Sequence, residues 1–197
     1  MLVRILAAAV GLPLLLAVVI LLPPVATAIL FAAACMIGAY EMLWRTGLLK
    51  HKRILAYTVL MAAATVMWSW LKGEGIASEQ TLWVSALTAL FVFFMALFCE
   101  LLAGHAKLQF TSLAAPLFSG IIYPFLIGAL VRLRCMDGGI FFIITAFVLS
   151  MIADTGAYFV GRACGKQKLA PVISPKKTVE GAIGGVVTNV AVMLLYT

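Results

Sequence analysis

Residues 140–160 read IFFIITAFVLSMIADTGAYFV, and this stretch decides the fold. It is almost wholly apolar, with a single carboxylate, Asp154, toward its C-terminal end. As a helix rising about 1.5 Å per residue, such a run spans the roughly 30 Å hydrocarbon core of a bilayer. Similar runs lie at about 5–22, 24–44, 54–71, 82–99 and 112–131, and a seventh begins near Gly181. Of the 197 residues 65% are hydrophobic, and 14 Lys and Arg with 7 Asp and Glu supply all the charge. That composition excludes a water-soluble globule and a disordered chain, which needs low hydrophobicity and high charge. Four Cys at 35, 99, 135 and 164 contain no CxxC and no close pair, so neither a zinc site nor a disulfide framework is indicated. The predicted fold is an all-α integral membrane protein. It is a polytopic helical bundle of six complete spans and a partial or short seventh, forming a single membrane domain over 1–197.

The first run could be taken for a secretory signal, because Arg4 precedes it and Ala26-Thr27-Ala28 follows. Its apolar length of about 18 residues exceeds the usual h-region of roughly 7–15, and another spanning run follows directly. It is read as a span. With six crossings before residue 161, the loops alternate between two sides. Arg4, Arg45, Lys50, Lys52, Arg53, Lys107, Arg162, Lys166, Lys168, Lys176 and Lys177 fall on one side, against Lys72, Arg132 and Arg134 on the other. The positive-inside bias puts the N-terminus and a basic loop over 161–181 in the cytoplasm. Basic loops facing anionic lipid also account for the net charge of +7 without invoking nucleic acid.

Chemistry concentrates at one end. Glu41 lies beside Arg45 and Glu100 ends the fourth run, both at the membrane boundary; His51 and His105 fall in expected loops and are read as solvated. Asp154 lies deeper. An aspartate near the centre of a spanning helix costs about 2.5–3.5 kcal/mol on insertion scales, so it should face a polar cavity or a partner. Ser150, Asp154, Tyr158 and Arg162 recur every fourth residue and stack along one helical face. Between residues 161 and 185 stand five cations, Arg162, Lys166, Lys168, Lys176 and Lys177, and five glycines. Ser174 followed by Pro175 predicts a helix start, with Ser as the cap and Pro at the first helical position. Lys176, Lys177 and Thr178 would then ride on the first turn, where lysines add to the helix's positive end and favour a bound anion such as phosphate. Gly181, Gly184 and Gly185 would let a neighbouring backbone or a headgroup approach closely. No Walker A loop occurs.

The stretch Asp154-Thr155-Gly156-Ala157-Tyr158-Phe159-Val160-Gly161-Arg162, with Gly165-Lys166, Lys168-Leu169-Ala170-Pro171, Ile173-Ser174-Pro175-Lys176-Lys177-Thr178, Glu180-Gly181 and Gly184-Gly185, resembles the phosphatidate cytidylyltransferases, or CDP-diacylglycerol synthases. The resemblance implies an enzyme that joins CTP and phosphatidic acid to give CDP-diacylglycerol and pyrophosphate, with Mg²⁺ in a polar cavity open to the cytoplasm. By this likeness Asp154, Lys176 and Lys177 are the expected catalytic residues, with Asp154 at the metal. Tyr158, Arg162, Lys166, Ser174, Thr178 and Gly181 are the expected substrate-binding residues. The partners implied are CTP and phosphatidic acid, with no nucleic acid, and a homodimer is allowed. The family's C-terminal segment, with a Lys-Asp pair, a His-Gly-Gly stretch and an Asp-Arg-x-Asp ending, has no counterpart in these residues. Residues 181–197 would rise only about 25 Å, so the chain is expected to be incomplete relative to the family. Two rivals use the same groups: a membrane carrier or binder of an anionic lipid or solute, and another CTP-dependent lipid enzyme of the polyprenol kinase kind.

Overall fold

The computed structural model describes residues 2–103, 111–172 and 174–196. His105, Lys107 and Ile173 therefore lie outside the described residues. Among the described residues eight α-helices follow one another: α1 (Leu2–Leu21), α2 (Pro24–Tyr40), α3 (Lys52–Gly73), α4 (Glu79–Ala103), α5 (Thr111–Leu117), α6 (Tyr123–Arg134), α7 (Gly139–Cys164) and α8 (Val179–Tyr196). A π-helical turn over Glu41–Arg45 prolongs α2, and another over Phe118–Ile122 joins α5 to α6. Among the described residues five helical stretches are long and apolar enough to cross a membrane: Pro24–Arg45, Lys52–Gly73, Glu79–Ala103, Leu113–Arg134 and Gly139–Cys164. Ala9–Leu21 and Val179–Leu195 are shorter apolar helices. Five of the six expected complete spans thus coincide with these long helices, and the first expected run, 5–22, falls on a shorter apolar one. The protein is an all-α, multi-pass membrane protein with a small hairpin among the described residues.

The chain divides into two compact units, 1–140 and 141–197. In the first, Leu43, Leu49, Ile54, Phe93 and Leu97 form a buried cluster, with Tyr57, Met61 and Ile121 packed on it. Polar side chains join its helices where apolar contact alone gives little direction. Pro124 has no N–H to offer the carbonyl four residues back, that of Gly120. The Thr65 hydroxyl of α3 donates to that carbonyl instead, at 3.1 Å. Arg134 closes α6 against the end of α1, donating from Nε to the Val19 carbonyl at 2.9 Å and from Nη2 to the Leu22 carbonyl at 3.1 Å. Gly75 and Gly138 sit just past α3 and α6 at φ +64° and +71°, where a side chain would strain the turn.

In the second unit, α7 is followed by two short antiparallel strands, β1 (Lys168–Ala170) and β2 (Ser174–Thr178), and then by α8. The strands pair Lys168 with Thr178 and Ala170 with Ser174, with an irregularity between the two pairs. This corrects the helix start expected at Ser174-Pro175. Ser and Pro fit a capped helix locally, but they fit an extended segment equally well. The proline ring fixes a backbone angle common to both, and it costs a two-stranded edge nothing where no ladder N–H is required. Pairing with β1 selects the strand. The cap is Thr178, whose Oγ1 accepts a hydrogen bond from the Gly181 N–H at 3.2 Å. The segment expected as a loop over 161–181 consists of the last turn of α7, the hairpin and the first turn of α8.

Candidate functional site

The face of α7 that bears Asp154, Tyr158 and Arg162 forms one wall of a cleft of about 610 Å³. The hairpin forms the other, with Lys168, Leu169, Ser174, Lys176, Lys177 and Thr178, and Ala182 of α8 completes the lining. The four-residue spacing read in the sequence therefore delivers a wall of the cleft from Asp154 onward, while Ser150 is not part of the lining. Arg162 Nη1 donates to the Tyr158 hydroxyl at 3.2 Å. Among the described residues the Asp154 carboxylate makes no hydrogen bond and no ion pair, and none of the cleft lysines is paired with a carboxylate. Four cations and one carboxylate thus share a concave space without neutralising one another. Such a field attracts polyanions.

The walls are held close by small residues on α7 and α8. A Cβ on Gly181 would stand 2.8 Å from the Ala157 carbonyl oxygen and 3.1 Å from the Gly161 Cα. A Cβ on Gly184 would collide with the Val160 side chain. The close approach expected of these glycines is therefore made by neighbouring backbone at Gly181 and by a neighbouring side chain at Gly184. Gly181 is buried and does not line the cleft.

The base of the hairpin is tied to α8 by a reciprocal set of hydrogen bonds. The Lys166 N–H donates to Glu180 Oε2 at 3.1 Å, and the Gln167 N–H donates to both Glu180 oxygens at 3.2 Å. In return the Val179 N–H donates to the Gln167 carbonyl at 3.0 Å. Lys166 thus enters through its backbone, and its side chain is not part of the cleft lining. The Glu180 carboxyl is held below the usual carboxylate range, first by its own backbone N–H and then by those of Lys166 and Gln167 and by the Lys166 charge, against partial desolvation. A depressed pKa means the clamp is complete above the ordinary carboxylate range and is lost as pH falls through the folded value. Glu180→Ala is expected to speed hydrogen exchange of the Lys166 and Gln167 amides roughly ten-fold at neutral pH while leaving the middle of α7 protected. Equal exchange in both proteins would show that the carboxylate holds nothing.

Sequence reasoning does not single out two residues of this region. Lys168 stands there among five cations, open between a loop charge and an anion ligand, because its place opposite Thr178 exists only once the strands pair. Glu180 carries a weak signal, an acid in the first turn of a helix beginning after a threonine. The boundary acids of the first unit are engaged locally. Glu41 Oε1 lies 2.7 Å from Arg45 Nη1. Glu100, whose side chain is 11% exposed, lies 3.7 Å from both His51 Nε2 and Arg53 Nη1, so His51 faces a carboxylate instead of standing free in solvent.

Mg²⁺ is usually bound through one or two carboxylates together with substrate phosphates. Asp154 is the one carboxylate in the lining, and among the described residues no cluster of three or more His, Cys, Asp and Glu is placed to hold a metal. The donor set fits an ion shared with phosphate and not an all-protein cage.

The model of the family described as the cytidylyltransferase family matches residues 2–197. A phosphatidate cytidylyltransferase of Haemophilus influenzae is 45% identical over 85 residues, 40% of this chain and 29% of its own length. The enzyme of that name from Staphylococcus saprophyticus is 45% identical over 69 residues, 35% of this chain and 26% of its own. That from Staphylococcus aureus is 50% identical over 56 residues, 28% and 22% of the two chains. The matches thus span less than a third of the length of these curated relatives. No solved structure matches the chain.

Proposed function

Because the chain belongs to the cytidylyltransferase family, we propose that it transfers a cytidylyl group from CTP to phosphatidic acid in the bilayer, giving CDP-diacylglycerol and pyrophosphate. The observation that carries this reading is the charge of the cleft, where Arg162, Lys168, Lys176 and Lys177 surround the single carboxylate of Asp154. A surplus of cations beside an apolar helix suits two polyanions, one dissolved and one a lipid headgroup. The names of the similar proteins support the same choice.

In the reaction a phosphatidate oxygen forms a bond to the α-phosphorus of CTP. The bond from that phosphorus to the bridging oxygen breaks, and its electron pair leaves with pyrophosphate. Lys176 and Lys177 offset charge on the transferring and departing phosphates, the main demand of phosphoryl-type transfer. Arg162 orients the Tyr158 hydroxyl, and that pair, with Ser174, gives directional contacts to phosphate oxygens. Asp154 would hold Mg²⁺ against the substrate phosphates, and the ion, when bound, supplies Lewis-acid polarisation. The hairpin end is assigned to the cytoplasmic face of a bacterial inner membrane, following the Lys and Arg asymmetry. No nucleic acid takes part, and assembly as a homodimer is compatible with this scheme.

The test is to supply the purified chain in detergent with labelled CTP, phosphatidic acid and Mg²⁺, and to follow lipid product and pyrophosphate together. Labelled CDP-lipid with equimolar pyrophosphate is the expected result. A phosphorylated lipid alcohol with CDP would replace this reading by a kinase, and specific binding of phosphatidic acid with neither product would replace it by a carrier.

A further inference from the structure

The first unit holds a second cleft, of about 380 Å³, whose chemistry differs from that of the hairpin site. It runs between α3, α4 and the start of α6, and its walls include Met61, Ala64, Trp68, Trp83, Leu90 and Phe125. Its volume falls within the roughly 300–1,000 Å³ of small-molecule sites, yet its lining is nearly all apolar.

Two cations stand on its aromatic walls. Trp68 and Trp83 have ring centroids 5.8 Å apart, and Lys72 Nζ lies 5.6 Å from the first and 4.8 Å from the second. The Trp68 indole N–H donates to the Leu82 carbonyl at 2.9 Å, which fixes that ring. On the other wall the Arg132 guanidinium lies 4.8 Å from the Phe125 centroid, while its Nη1 donates to the Ser69 hydroxyl at 2.8 Å. The segments bearing the two cations touch: a Cβ on Gly73 would stand 3.5 Å from the Arg132 Cα. Neither Lys72 nor Arg132 has a carboxylate within ion-pair distance among the described residues. A ring face engages one side of a cation and leaves the rest of its field outward.

We propose that this cleft binds an acidic phospholipid of the bilayer, with an acyl chain along the apolar wall and the phosphate facing Lys72 and Arg132. Charge complementarity selects this occupant. A zwitterionic lipid offers the same chains, but its own amine offsets the phosphate. Tryptophans at this position are suited to the junction of chains and headgroups. The site uses none of the groups assigned to cytidylyl transfer and stands independently of that reading.

The test uses the purified chain in phosphatidylcholine vesicles, titrated with phosphatidylglycerol carrying brominated chains or with brominated phosphatidylcholine, while tryptophan fluorescence is followed. Half-quenching is expected at about 25-fold less of the acidic lipid, the scale of two basic side chains near a charged lipid. Lys72→Gln should cut the preference to about five-fold, because Arg132 remains, Lys72→Arg should keep it whole, and Lys50→Gln, distant in sequence and exposed, should leave it unchanged. Coincident curves for the two lipids in the unaltered protein would overturn the proposal. So would an unchanged preference in Lys72→Gln.

Discussion

Asp154→Asn is expected to lower turnover of CTP and phosphatidic acid by about 10²-fold or more, with insertion into the membrane unchanged. A metal held at a phosphoryl group contributes several kcal/mol of transition-state stabilisation, enough for a loss of that order. Asparagine keeps the shape of the side chain and removes the charge that would anchor the ion. A structural loss is not the alternative explanation, since among the described residues the Asp154 carboxylate makes no hydrogen bond or ion pair for the substitution to break. The variant should still bind CTP in the absence of metal, because Arg162, Lys168, Lys176 and Lys177 remain in the lining. Turnover equal to that of the unaltered protein would reduce Asp154 to a polar contact on the wall.

The second large effect is structural. Gly184→Leu should separate α7 from α8, because the first atom of any side chain at 184 collides with the Val160 side chain. Overpacking of a close contact typically costs about 1–3 kcal/mol, and occasionally more. Here the contact lies between two helices whose association in lipid rests on small residues and close backbones. Thermal unfolding in detergent should shift down, and the activity proposed above should fall with it, because α8 carries the end of the hairpin. Gly184→Ala should do less harm, and adding Val160→Ala to it should recover much of the loss. Independent, additive effects at 160 and 184 would mean that the two positions do not touch.

The membrane fold was legible because one strong force sets it. Apolar runs long enough to cross a bilayer must form helices in lipid, where every backbone group needs a partner within its own segment. The runs at 24–44, 54–71, 82–99, 112–131 and 140–160 therefore coincide with helices. Asp154, Tyr158 and Arg162 were legible as one face for a related reason, since a helix converts a four-residue interval into a stripe.

The hairpin was not legible. Its residues are polar, and no periodic apolar face commits them to a strand or a helix. Ser174-Pro175 satisfies the local rules for a helix cap, and the choice passes to whatever the segment can pair with. The segment Lys168–Ala170 supplies that partner and Glu180 fastens the base. Lys176 and Lys177 consequently reach the cleft from a strand, so the helix-end field expected to favour an anion is replaced by the summed charge of four side chains.

By itself the sequence determined the placement of the long helices and the segment where cations gather, because hydrophobic length and helical interval are local quantities. Of the six complete spans it predicts, five are long enough to cross among the described residues, and the first falls on a shorter apolar helix. Only the tertiary structure decided that Lys168 joins the site, that Lys166 and Gly181 do not line it, and that Thr178 is the cap. Those outcomes rest on which backbone donor finds which acceptor across a turn, and that choice belongs to two segments at once.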